Sequence, residues 1–340
     1  MKRTILYVVL AFIVAPIFVS CYQSHKKKLD LAYALVESRP DSALALMKHI
    51  DQEGLSKEEM AKYALTYYIA QDKSGLDLDN DSLIRIAYDW YEGHQEDSLY
   101  VLCLNYMGKC YLLVDSMEQA KSCLEKAYFI SDSLHKMNVK RLVLDKLIEV
   151  EEQLEPYKAL RYAKDMLKMY DSMANVTIYN KVAARLRLGE NFFYVGSLQH
   201  ALEEERKAYR MAMKAGDSNL LSYVRQNLAS TFEEMGEKDS CLYYARLAYD
   251  LNAANRFSCL LTFASAYISV DSLNQAFSLL NQALPKTAED RYSVFYFQSQ
   301  AAMKAQDFKS AKSFSDSAYH YLEDMYRTAL QGKAAYYTSF

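Results

Sequence analysis

The stretch LGENFFYVGSLQHALEEERKAY, residues 188–209, decides the fold. It holds a small residue at Gly189 and two more at Ala201 and Ala208, steps of 12 and then 7. Gly196-Ser197 lies between them as a turn signal. Seven residues are two helical turns, so Ala201 and Ala208 share one helix face. Twelve residues hold the rest of one helix, a short connection and the start of a second. Small side chains at the three places let two antiparallel helices approach along one seam. Leu188, Phe192 and Leu198 fill the space between.

The same steps recur along the chain. They link Gly108, Ala120 and Ala127, then Ala229, Cys241 and Ala248, then Ala264, Ala276 and Ala283, then Ser299, Ala311 and Ala318. Self-similarity at a period of a few tens of residues marks a repeat array. Successive copies advance by 35 residues from Cys241 to Ala276 and from Ala276 to Ala311. The middle is looser, with 39, 42 and 40 residues separating Ala120, Ala159, Ala201 and Cys241. The unit around Ala159 departs most, with Leu147 at a small-residue position, Met166 in place of Ala, and Pro156 at the helix start. Ala43 opens the second helix of an early unit, and residues 58–93 read as a less regular pair. The connections carry Asp115-Ser116, Gly236-Glu237 and Asp271-Ser272. Asp-Ser pairs also stand at Asp41, Asp81 and Asp239, and all are expected to cap the second helices through side-chain oxygens.

The pattern Leu104-x-x-Met107-Gly108-x-x-Tyr111 followed by Ala120 and Ala127-Tyr128 resembles the tetratricopeptide repeat family. Leu188-Gly189-x-x-Phe192 followed by Ala201 and Ala208-Tyr209 is a second good copy. The resemblance implies an all-α, right-handed α-solenoid of about eight antiparallel helix pairs over residues 29–322, with a C-terminal capping helix and tail over 323–340. It also implies that first helices line a concave face built to hold partners. On that register the face presents Asn105, Lys109, Leu112, Arg187, Glu190, Phe193, Tyr194, Tyr223, Gln226, Asn227 and Ser230. Mixed aromatic, amide and charged groups suit an extended peptide or a helix of a protein partner, and a merely solvated face is the alternative. Asn105 and Lys109 fit one side of a carboxylate clamp, which the neighbouring unit does not complete.

Composition agrees with helices. There are 9 Gly and 4 Pro in 340 residues, too few for a strand-and-turn protein, and 51% of residues are hydrophobic. Ala-Tyr pairs at 87–88, 127–128, 208–209, 248–249 and 318–319 read as core, each ring packing on the next unit with its hydroxyl at the surface.

The N-terminus reads as a targeting segment. Lys2-Arg3 precedes an apolar run from Thr4 to Phe18, then Val19-Ser20-Cys21. This resembles the signal of bacterial lipoproteins over residues 1–20, with Cys21 lipidated and 21–28 a basic tether. Phe18 departs from the aliphatic residue usual there. An uncleaved anchor and simple secretion are the alternatives. Lys26-Lys27-Lys28 opposes outward placement of the body on an anchor. The absence of acidic residues after Cys21 resembles a periplasm-facing, outer-membrane lipoprotein. Removing residues 1–20 leaves 38 basic against 43 acidic side chains, a poor balance for nucleic acid.

No chemistry-bearing constellation stands out. The six histidines are scattered, and no zinc-protease, phosphate-loop or nucleophile-elbow motif occurs. Asp77-x-Asp79-x-Asp81 has Ser82 and Tyr88 where a calcium loop needs Gly and Glu. Besides Cys21 there are five cysteines, and Cys103 and Cys110 lie about 10 Å apart along one helix, too far for a disulfide. Free, buried thiols are expected. Asp-Ser-apolar tripeptides at 41, 81, 97, 115, 132, 171, 271 and 316 resemble O-glycosylation acceptors of exported proteins, with helix capping as the simpler reading. The expected protein is a non-enzymatic, membrane-anchored interaction scaffold without cofactor or metal. The alternatives are a glycan-binding or nutrient-binding lipoprotein, for which Trp90 is the only Trp, and the ectodomain remnant of a membrane sensor.

Overall fold

A computed structural model describes residues 26–76, 82–94, 98–135, 137–251 and 253–338. The signal-like segment, Cys21, the Asp77–Asp81 string and Asp97 lie outside the described residues. Among the described residues every regular element is helical. The sixteen helices follow as eight consecutive pairs: α1 (26–35) with α2 (Pro40–Met47), α3 (Lys57–Lys73) with α4 (Ser82–Tyr91), α5 (Ser98–Leu113) with α6 (Met117–Ser133), α7 (Met137–Leu154) with α8 (Pro156–Ser172), α9 (Ile178–Tyr194) with α10 (Leu198–Ala215), α11 (Ser218–Glu234) with α12 (Lys238–Tyr249), α13 (Arg256–Ser269) with α14 (Leu273–Leu280), and α15 (Ala288–Lys304) with α16 (Phe308–Thr338). Lys26–Lys28, read as tether, begin α1, and α16 runs without a break through position 322. The chain forms two compact units that divide between Lys146 and Leu147. Within each, helix pairs stack in the manner of an all-α solenoid.

The seam residues sit where the spacing places them. In the first unit Gly108, Ala120 and Ala127 are buried between α5 and α6. A Cβ at Gly108 would lie 2.7 Å from Leu124 Cγ, so only glycine lets Leu124 seat there. In the second unit Gly189, Ala201, Ala208, Ala229, Cys241, Ala248, Ala264 and Ala276 are all buried. Ser299 Oγ donates to the carbonyl of Ala311 at 3.1 Å, a direct bond across the last seam. Ala283 is the exception. α14 ends at Leu280, and Pro285 disfavours helical backbone at Leu284 before it. Ala283 therefore only borders the core. Leu147 and Met166 are both buried in the looser unit.

The connections inside pairs work differently from the capping expectation. Ser116, Ser197, Glu237 and Ser272 precede second helices without making a side-chain cap bond. The preceding residue is left-handed instead: Asp115 (φ 54°), Gly196 (73°), Gly236 (76°), Asp271 (58°) and, in the last pair, Gln306 (60°). The next N–H then bonds to the carbonyl five residues back, at 2.8–3.0 Å in all five turns. That is the Schellman geometry, which satisfies the last carbonyls of the first helix and launches the second at once. Asp115 and Asp271 thus end helices rather than cap them, and Asp41 and Asp239 lie inside the first turns of α2 and α12. Four side-chain caps stand on first helices: Ser56 on α3, Thr177 on α9, Asp217 on α11 and Thr287 on α15. Asp307, whose carboxylate accepts the Ser310 N–H at 3.1 Å, caps α16.

The tyrosines of four Ala-Tyr pairs pack forward; Tyr319, expected in the core, is exposed instead, because among the described residues no first helix follows α16 to cover it. Tyr88 meets Tyr100, and Tyr249 meets Phe263, with ring centroids 5.9 and 5.7 Å apart. A cation from the following first helix stands over three of them: Lys140 over Tyr128 at 4.8 Å, Arg225 over Tyr209 at 5.8 Å and Arg256 over Tyr249 at 4.2 Å. No disulfide joins the five described cysteines; Cys103, Cys110, Cys241 and Cys259 are buried and Cys123 is half-buried. Burial pushes the Cys123 thiol up to about 11, so it is a packing group at neutral pH.

Candidate binding surface

In the second unit α9, α11, α13 and α15 pack on one another in sequence, forming a layer of first helices. A polar network runs along it. Asn191 Nδ2 donates to Glu152 Oε1 at 2.9 Å and to the Arg187 carbonyl at 2.8 Å. Arg187 pairs with Glu152 at 3.4 Å and with Glu190 at 3.6 Å. Asn227 Nδ2 donates to Glu190 Oε1 at 2.9 Å. Gln226 bonds Ser258 and, at 3.3 Å, Thr262 on α13, and accepts from Asn255 at 2.8 Å. Ser265 Oγ donates to Glu233 at 2.6 Å, and Lys304 Nζ lies 3.0 Å from Asp271. Each first helix is tied to the next by at least one polar side chain.

Exposed aromatic rings stand on these helices, Tyr194 and Tyr223 among them. Tyr194 is 58% exposed and Tyr223 43% exposed. Beside Tyr194 two carboxylates face one guanidinium, so the patch has an acidic bias. Burial pushes the Glu152 carboxyl upward, against the pull of Arg187 and the Asn191 amide, with Glu190 adding to the rise. Burial and the same two carboxylates push the Tyr194 hydroxyl upward. Arg187 Nε and Asn191 Oδ1 are buried without a protein partner. Behind the layer, the Glu205 carboxyl of α10 fills the space left by Gly189 and accepts from Thr231 at 2.7 Å.

Of the residues read from the sequence, Arg187, Glu190, Tyr194, Tyr223, Gln226 and Asn227 share this layer. Asn105 and Lys109 belong to the first unit. Asn105 is buried in α5, and Lys109 forms an ion pair with Asp72, so its ammonium is already engaged. Glu152, Asn191, Asn255 and Ser258 were not read. A signal for them existed: the polar partners lie 29 to 39 residues apart, about one repeat period. Among the described residues no group of three His, Cys, Asp or Glu side chains is placed to hold a metal ion. Ser197 Oγ lies 3.0 Å from His200 Nδ1, a first-turn contact whose imidazole stacks on Phe192. Trp90 stacks on His94 in the first unit. Among the described residues no helix is long and apolar enough to cross a membrane.

No family model matches the chain, and no curated protein matches it in sequence. Solved structures do match in shape. A Rap protein complexed with Competence and Sporulation Factor superposes with a TM-score of 0.62 at 15% identity, covering 92% of this chain and 94% of that one. NprR in complex with its cognate peptide NprX gives 0.59 at 15% identity, over 85% and 86%. A STAND-type signal transduction ATPase with a tetratricopeptide repeat sensor from Pyrococcus horikoshii gives 0.61 at 13% identity over 90% of this chain. This chain spans about half of that protein, 47% of its length. At these identities the likeness is one of fold: the chain has a tetratricopeptide-repeat-like, all-α architecture.

Proposed function

We propose that the chain is a non-enzymatic scaffold that holds a peptide or protein segment on the first-helix layer of its second unit. The observation that carries this reading is two exposed rings, Tyr194 beside the Glu152–Arg187–Glu190 group and Tyr223 one helical turn before Asn227, which bonds Glu190. Rings supply contact area at low entropic cost, and pre-bonded amides and carboxylates supply direction. The acidic bias favours a segment with a basic side chain. Two proteins of similar fold were solved with a bound partner, one of them its cognate peptide, which supports the reading. We further infer from the Lys2–Cys21 layout that Cys21 carries lipid and holds the body at the envelope, facing the periplasm. Crosslinking pull-down from the native membrane tests the surface. A partner retained by the wild type is expected to be lost with Tyr194→Ala/Tyr223→Ala, and an unchanged partner set removes the assignment. Intact mass of the native protein tests the anchor: retention of residues 1–20 sinks the lipid proposal. A glycan array separates the carbohydrate-binding alternative.

A further inference from the structure

A second polar feature of α9 lies on the side away from the Tyr194 layer. Arg185 stands two positions before Arg187, about 200° around the helix, so the two guanidiniums leave α9 on opposite sides. Arg185 and Phe192 are two turns apart and share that far side. The flanking second helices reach over both. Lys164 of α8 lies over the Phe192 ring at 5.2 Å, and His200 of α10 stacks on it at 5.1 Å. Two turns away, Asp171 of α8 lies 3.7 Å from Arg185 Nη2, and Glu204 of α10 accepts from Arg185 Nη1 at 2.8 Å. Thus α9 is the floor of a groove walled by α8 and α10. All three helices lie inside the second unit, and α11 to α16 follow them.

At its Arg185 end the groove opens into a cleft of about 290 Å³ lined by Arg185, Lys207, Arg210, Met211 and Lys214. Four of these five are cations, on a chain whose net charge is −3. The two carboxylates bonded there, Glu204 and Asp171, neutralise half of that charge. Glu204 is buried and organises the deeper cations, taking Arg185 on one carboxylate oxygen and Lys207 on the other. The Arg185 side chain is only 19% exposed, so its fork is held in place. Arg210 and Lys214 are exposed and form no ion pair among the described residues. Lys207, Arg210 and Lys214 follow at steps of 3 and 4 on one face of α10, where like charges repel. A bound anion relieves that repulsion. We propose that this cleft binds a phosphoryl group, free or as a phosphate ester. A dianion matches the uncompensated charge. Arg185 and Arg210 offer planar forks of donors to its oxygens, and Lys207 and Lys214 add point charges. Met211 supplies an apolar wall for the organic part of an ester.

The test uses the full chain in mild detergent, titrated calorimetrically at low salt. One arm adds inorganic pyrophosphate. The other adds dihexanoyl phosphatidic acid, a short-chain lipid with a phosphomonoester headgroup. Saturable binding of at least one is expected, and the tighter of the two tells whether the source is a soluble phosphate or a lipid headgroup. Arg210→Gln/Lys214→Gln is expected to weaken that binding about ten-fold or more, the loss of two charge-assisted contacts. Its melting temperature without ligand is expected to be no lower than the wild type's, since both side chains are exposed and repel one another. Lys309→Gln/Lys312→Gln removes the same charge from exposed positions on α16 and is expected to leave binding as it is. Absence of binding in both arms, equal weakening by the two double variants, or binding that Arg210→Gln/Lys214→Gln leaves unchanged overturns the proposal.

Discussion

Glycine in a helix interior costs about 1 kcal/mol relative to alanine. Gly108 and Gly189 accept that cost because of what packs on them. At Gly108 an added methyl would sit 2.7 Å and 2.9 Å from Leu124 Cγ and Cδ2, so Leu124 would have to leave its seat. Gly108→Ala is expected to lower unfolding stability by about 1–2 kcal/mol, overpacking outweighing the gain in helix propensity. At Gly189 the nearest atom is Glu205 Cγ at 3.2 Å, which a methyl displaces by little but a leucine cannot share. Gly189→Leu is expected to cost a few kcal/mol. Urea unfolding checks both, and a pair of wild-type midpoints contradicts the seam. Glu205 itself makes stability depend on pH. Burial raises its folded pKa to about 7, from 4.5 when free, despite the Thr231 hydrogen bond that favours the ionised form. The folded state therefore holds the proton more tightly. This contribution is fully present below pH 4.5 and is lost as pH rises through about 7. At 1.36 kcal/mol per unit the difference amounts to about 3 kcal/mol. Glu205→Gln is expected to flatten this part of the melting-temperature profile and to exceed the wild type in stability at pH 8. A variant whose profile parallels the wild type between pH 4.5 and 7 contradicts the assignment.

At the scale of elements, pairing is set chiefly by the Schellman turns before α6, α10, α12, α14 and α16, with a side-chain cap added only at Asp307. Their left-handed residue is Gly twice, Asp twice and Gln once. Nothing lies within 4 Å of a Cβ added at Gly196 or Gly236, so the cost of a side chain there is purely conformational. Gly196→Ala is expected to lose about 1 kcal/mol and Gln306→Gly to gain about as much, read from thermal melts. Equal and unchanged melting temperatures contradict the turn assignment. The helices themselves were legible because the 12 and 7 steps are forced by how close two backbones must come. The turns were only half legible. A Gly or Asp before Ser is compatible with a cap or with a left-handed helix end, and only backbone angles distinguish them. Ala283 was misplaced by a pattern that did not weigh Pro285 two residues on. The polar ties between first helices were missed because Glu152 and Asn191 look like ordinary surface residues singly. Reading pairs one period apart, such as Asp72 with Lys109 or Glu190 with Asn227, would have found them.

At the scale of the molecule, each first helix of the second unit is pinned to its neighbour by side-chain hydrogen bonds and ion pairs, so the layer carrying Tyr194 and Tyr223 is pre-arranged. A pre-arranged surface loses less freedom on binding than one that must order itself. Both rings are exposed, so their removal is expected to change stability by less than about 0.5 kcal/mol while removing the partner. The direct measurement is a photo-crosslinking side chain placed in living cells at position 194, at 223 and, for comparison, at 243 on the second helix α12, where Tyr243 is equally exposed. Adducts to one common partner from 194 and 223, and none from 243, are the predicted result. The same adducts from all three positions, or from 243 alone, would contradict a binding surface made of first helices.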